Sequence, residues 1–226
     1  MINRGRLFFL FSFFSKEKKE KNTKSRGRER KRKKMDTMVY IRCDDSDEED
    51  KDKDLYDAMS QQFICRKDAA SIHISSATFQ KSNLIYFSRV LSMKRNVTSL
   101  VLEKVVLPED GSYYLGLTII ANPQLVELSL AWTTLSQQGL VSLFQVLESS
   151  AIEKLTVTKN VFDATVVAAI NVMLVRNTTI TMLYFNRNEL KDNDACTLAT
   201  GLAEHPALVE LYLNTNLHIG SEGGAC

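Results

Sequence analysis

Residues 125–130 read Leu-Val-Glu-Leu-Ser-Leu, with apolar side chains at the first, fourth and sixth places. The same spacing returns as VTSLVL at 97–102, IEKLTV at 152–157, ITMLYF at 180–185 and LVELYL at 208–213, with a weaker copy, AASIHI, at 69–74. The starting residues 69, 97, 125, 152, 180 and 208 lie 28, 28, 27, 28 and 28 apart. A register held that closely through six copies marks a repeat architecture. Apolar residues two apart, at places four and six, fit a short strand with one buried face.

The remainder of each unit repeats as well. With the first apolar residue as position 1, position 11 is Phe79, Leu107, Leu135, Phe162 and Leu190. Position 19 is Phe87, Leu115, Leu143, Ile170 and Leu198, and position 23 is Leu91, Ile119, Leu147, Leu174 and Leu202. Steps of four belong to one face of a helix, so each unit reads as strand, turn, helix and return loop. The one shortened unit loses its residue in the return loop before Ile152, where length changes are tolerated best.

With Asn160, Asn188 and Asn216 at position 9 and Gly111 and Gly139 at position 15, the pattern LxxLxLxxNxL resembles the ribonuclease-inhibitor type of leucine-rich repeat. The resemblance runs from about Leu55 to the C-terminus. It implies an α/β solenoid of about six units, with a curved parallel sheet inside and helices outside. It also implies that the position-9 amide bonds backbone groups at the turn leaving the strand. Ala77, Val105 and Thr133 stand there in the earlier units, so the first half is expected to lack part of that ladder.

Outside the repeats, charge divides the chain. Residues 1–34 carry net +11, residues 36–54 net −6, and residues 55–226 net −3, beneath an overall balance of only +2. Residues 1–34 are expected to be a disordered basic tail with a short apolar start, LFFLFSFF at 7–14. That start has the charge order of a secretory signal core but no small-residue cleavage site, which disfavours secretion. Residues 35–54 read as an acidic disordered linker, 55–68 as an N-terminal capping helix with Leu55, Met59 and Phe63 on one face, and 69–226 as the repeat domain. The chain stops at Gly223-Gly224-Ala225-Cys226, where another helix is due, so the repeats read as truncated with that end of the stack open.

The expected compartment is the cytoplasm, with the basic cluster at 26–34 a candidate nuclear-import signal. No apolar run approaches the ~20 residues of a membrane-spanning helix. Cys43, Cys65, Cys196 and Cys226 show neither a CxxC pair nor metal-ligand spacing and read as free thiols of a reducing compartment. Asn96-Val-Thr98 and Asn177-Thr-Thr179 are glycosylation sequons, meaningful only in a secreted chain.

The resemblance directs positions 1, 4, 6 and 11 into the core and positions 3, 5, 7 and 8 toward the concave surface. Trp132, the only tryptophan, then stands at a strand position between Lys104 and Lys159, with Arg187 one unit further and Tyr184 and Tyr212 at position 5. Aromatic residues and Arg dominate interface energetics, so Lys104, Trp132, Lys159, Tyr184, Arg187 and Tyr212 are the candidate partner-binding residues. The alternative role for Trp132 is to lie over the lysine stems for cation–π stabilisation.

Catalytic signatures are missing. The chain has no GxxxxGK phosphate loop, GxSxG elbow or HExxH helix, and His73, His205 and His218 stand apart and read as surface polar residues. No cofactor or metal is expected. The basic cluster has no interleaved aromatics on which bases would stack, so specific nucleic-acid recognition is not expected either. The favoured function is a non-enzymatic scaffold gripping a protein with an acidic surface, as the resemblance to cytosolic inhibitors and NOD-like receptor sensor regions implies. The alternatives implied by the same class are GTPase activation of the Ran type and regulation of actin filaments.

Overall fold

The computed structural model describes residues 38–42, 51–65 and 69–226. Among these residues seven strands alternate with six α-helices: β1 (Met38–Arg42), α1 (Lys51–Cys65), β2 (Ser71–Ser75), α2 (Lys81–Met93), β3 (Ser99–Glu103), α3 (Gly111–Ala121), β4 (Glu127–Ala131), α4 (Gln137–Leu147), β5 (Lys154–Thr158), α5 (Ala164–Arg176), β6 (Met182–Tyr184), α6 (Asp192–Glu204) and β7 (Glu210–Tyr212). A 3-10 turn, Gly223–Ala225, follows. The sheet is wholly parallel and its spatial order is the chain order, β1 to β7, so each unit pairs only with its neighbours.

Register follows the repeat. Leu100 faces Leu128, Leu128 faces Leu155, and Leu155 faces Leu183, so equivalent residues stack in rows. Positions 4 and 6 are buried in every unit from Ile72 and Ile74 to Leu183 and Phe185, and helix residues such as Phe87, Leu143 and Ile170 meet them in one apolar core. Phe144, Phe162 and Phe185 fill its centre as edge-on pairs with centroids 5.4–6.0 Å apart. Gly111 has a packing reason: a Cβ there would lie 2.8 Å from the Leu107 Cβ. Ser136 and Asp163 cap α4 and α5, accepting bonds from Gly139 N and from Thr165 and Val166 N.

The asparagine row does what its position requires. Asn160 Nδ2 donates to Leu130 O, Asn188 Nδ2 to Val157 O and Asn216 Nδ2 to Phe185 O, each reaching back one unit. Their Oδ1 atoms accept in turn: Asn188 from Asn160 N at 2.8 Å and Asn216 from Asn188 N at 2.7 Å. The row reaches one unit further than the asparagines do, because Thr133 Oγ1 donates to Asn160 Oδ1 at 2.7 Å.

Three expectations are corrected. Residues 35–54 are not simply a linker: Met38–Arg42 is the first strand, paired Met38↔Ser71 with Val39 and Ile41 buried. The charge around it hid the MVYIR alternation. Val39 precedes its partner Ile72 by 33 residues rather than 28; compared with the next unit, the loop between Arg42 and Lys51 is longer and the helix that follows has 15 residues against 13. The helix beginning there starts at Lys51 instead of Leu55; with β1 it makes a complete seventh unit in place of a lone cap, and Leu55 and Met59 are fully buried. At the other end the last residues close onto α6. Asp192 Oδ1 accepts from Gly220 N at 2.7 Å and Gly223 N at 2.9 Å, and Cys226 is disulfide-bonded to Cys196, so these two cysteines are not free thiols.

The basic tail 1–34, including 7–14 and 26–34, lies outside the described residues, as do Cys43 and most of the acidic run. No helix among the described residues is long and apolar enough to cross a membrane.

Candidate partner-binding surface

The six candidate residues divide into two adjoining patches. Position 8 is not a strand position. Ser76, Lys104, Trp132, Lys159, Arg187 and Thr215 each follow the last residue of the open-face row and adopt left-handed backbone with φ between 53° and 63°. Their N–H groups extend the sheet ladder: Lys104 N donates to Ala131 O, Trp132 N to Thr158 O, Lys159 N to Asn186 O and Arg187 N to Asn214 O. A ridge therefore runs along the edge of the sheet at the strands' C-terminal ends, one side chain every ~4.8 Å.

Lys104, Trp132, Lys159 and Arg187 are exposed on that ridge, Trp132 to 40%. The Lys104 Nζ lies 5.0 Å and the Lys159 Nζ 3.8 Å from the Trp132 ring centroid, so the indole stands between ammonium groups of the preceding and following units. The cation–π role foreseen for Trp132 is thus realised, and it leaves the ring accessible. Left-handed backbone costs a side-chain-bearing residue about 1–2 kcal/mol. None of the six sites uses Gly or Asn, which would relieve that cost.

Tyr184 and Tyr212 lie on the open face of the sheet instead, on β6 and β7. Their rings stack at 4.5 Å with planes 4° apart. Lys154, at position 3 and not among the six candidates, lies 5.7 Å from the Tyr184 centroid and 2.7 Å from Glu127. The hydrogen bond it donates to Glu127 raises the pKa of the Lys154 ammonium above its ordinary range. Tyr212 donates to Glu210 Oε2 at 2.9 Å, and that bond raises its phenol in the same way. At the other end of this face His73 Nε2 stands 3.6 Å from Glu103 Oε2 and packs edge-on against Tyr40.

His205 is buried, which corrects its reading as a surface residue. It occupies position 26, where Asn177 stands one unit earlier. Asn177 Oδ1 accepts from Thr179 N and Ile180 N; His205 Nδ1 accepts from Ala207 N and Leu208 N. The imidazole thus serves the return loop as an asparagine mimic, and burial lowers its pKa. Asn177 is 1% exposed and its Nδ2 donates to Leu147 O, so the second sequon is closed to a glycan in the folded chain. His218 is exposed beside Lys191, Asp192, Asn193 and Glu222 around an open depression. No group of three His, Cys, Asp or Glu among the described residues has metal-binding geometry.

The chain matches no family model and no curated protein.

Proposed function

We propose that this chain is a leucine-rich repeat scaffold that binds an acidic protein segment along the position-8 ridge, with Tyr184 and Tyr212 extending the contact onto the open face of the sheet. The observation that carries the reading is the ridge itself. Lys104, Trp132, Lys159 and Arg187 stand exposed at consecutive strand spacings on backbone that would be less strained with glycine, so their side chains are kept at a cost in stability. An extended acidic strand rising ~3.3 Å per residue meets a charge or the indole roughly every one to two residues. Desolvation of Trp132 would make it an anchor worth ~2 kcal/mol or more on truncation.

The test is affinity capture with the full chain beside a Lys104→Glu/Lys159→Glu variant, followed by titration of the captured protein against both. The reading expects a directly binding acidic protein whose affinity falls about tenfold or more in the variant and declines with salt. A partner bound equally by both chains, or insensitive to salt, would refute it.

A further inference from the structure

The outward faces of three successive helices lack the charge that a solvated helix normally presents. α3 (GSYYLGLTIIA) and α4 (QQGLVSLFQVL) contain no charged residue, and α5 (ATVVAAINVMLVR) only its final Arg176. What they expose is apolar. Tyr113, Leu117 and Ile120 on α3 are 61%, 40% and 66% exposed, and Val172 and Val175 on α5 are 40% and 51% exposed. Half-buried Val141 and exposed Gln145 on α4 join the two stripes. Charge returns at the margins, partly paired there: Lys81 with Asp110 at 2.7 Å and Arg176 with Glu148 at 2.7 Å, with Arg89 and Glu109 exposed beside them. An apolar centre inside a polar rim is the anatomy of a protein–protein interface.

We infer that this face associates with the same face of a second copy of the chain. Charge selects that occupant. A two-fold contact sets the whole patch against its own copy, α3 of one chain meeting α5 of the other, so a patch of one sign repels itself and an uncharged one does not. A partner of either net sign gains nothing here, whereas the basic ridge on the sheet edge lies elsewhere and stays free in the pair. Size sets the strength: helices about 17 Å long and about 10 Å apart make a footprint of roughly 500 Å² on each copy. About 1,000 Å² in total lies at the low end of specific interfaces, so the dimer is reversible.

Sedimentation velocity of the full chain between about 1 and 100 µM tests this, the range in which a small, transient interface is expected to dissociate and re-form. Leu117→Glu and Val172→Glu, on different helices and both exposed, are each expected to weaken association about tenfold or more by burying an unpaired charge in the contact. Trp132→Ala is expected to leave it unchanged. If a variant fails to fold, hydrogen exchange of the unaltered chain decides: the amides of α3 and α5 slow as concentration rises. A chain that stays monomeric, a dimer that tolerates both glutamates, protection of α3 and α5 at every concentration, or flotation of monomers with neutral phosphatidylcholine vesicles would each overturn the inference.

Discussion

The Lys159 ammonium stands 3.8 Å from the centre of the Trp132 indole although the two residues belong to different units. The contact exists because both sit at position 8 with φ near 58°, where the ladder brings successive side chains into a row. An exposed cation–π contact contributes ~0.5–1 kcal/mol, less than the ~1–2 kcal/mol that left-handed backbone costs a non-glycine residue.

Lys159→Gly is therefore expected to raise stability slightly, by up to about 1 kcal/mol, while weakening the proposed acidic partner. Urea titration reads the first effect and partner titration the second. Because Trp132 is the only tryptophan, its emission should shift to shorter wavelength as the partner covers it.

Asn188 is fully buried, accepting from Asn160 N and donating to Val157 O. Asn188→Ala strands both backbone groups away from water, at about 1–3 kcal/mol each. The expected loss is about 2–5 kcal/mol, checked by denaturant midpoint. Asn186→Ala, which removes one part-buried acceptor for Asn214 N, should cost about 1 kcal/mol.

Burial lowers the pKa of His205 in the folded chain, and its Nδ1 must stay unprotonated to accept from Ala207 and Leu208. As pH falls below about 6.5 the unfolded chain takes up this proton before the folded chain does. His205 therefore makes no pH-dependent difference above that value, and stability declines below it until the lowered folded pKa is passed. His205→Asn keeps the acceptor without the titration. The difference between parent and variant, measured by chemical denaturation from pH 8 to pH 5, should change in that acid window alone.

Cys196 and Cys226 should resist alkylation in the native chain until a reductant is added. Mass spectrometry of the alkylated peptides counts them. Cys226→Ser is expected to loosen residues 219–226 from α6, seen as faster exchange at Gly220 and Gly223, whose N–H groups now bond Asp192. Four thiols labelled without reductant would remove the bond from the molecule.

Much of the fold was legible because its signals are local. Alternation at positions 4 and 6 names the strand, and apolar residues at positions 19 and 23 name the helix within a single unit that is then copied; position 11, read as part of the helix, lies in the turn before it. The first unit was missed for the opposite reason. Its strand MVYIR is short, and its distance to the next strand departs from the common period. The candidate residues were read as one strand face, yet Lys104, Trp132, Lys159 and Arg187 lie on the turn beyond the strands. Lys154 went unnoticed, because only stacked units bring a position-3 lysine to Glu127 and Tyr184 together.

By itself the sequence determined the repeat, its period and its buried rows, since burial of one face is written in apolar spacing within about thirty residues. The tertiary structure alone decided three things: that Met38–Arg42 completes the sheet, that Cys226 meets Cys196 thirty residues earlier, and that the uncharged faces of α3, α4 and α5 adjoin. Each depends on how one unit stacks on another, and stacking is set by packing between residues that no local pattern connects.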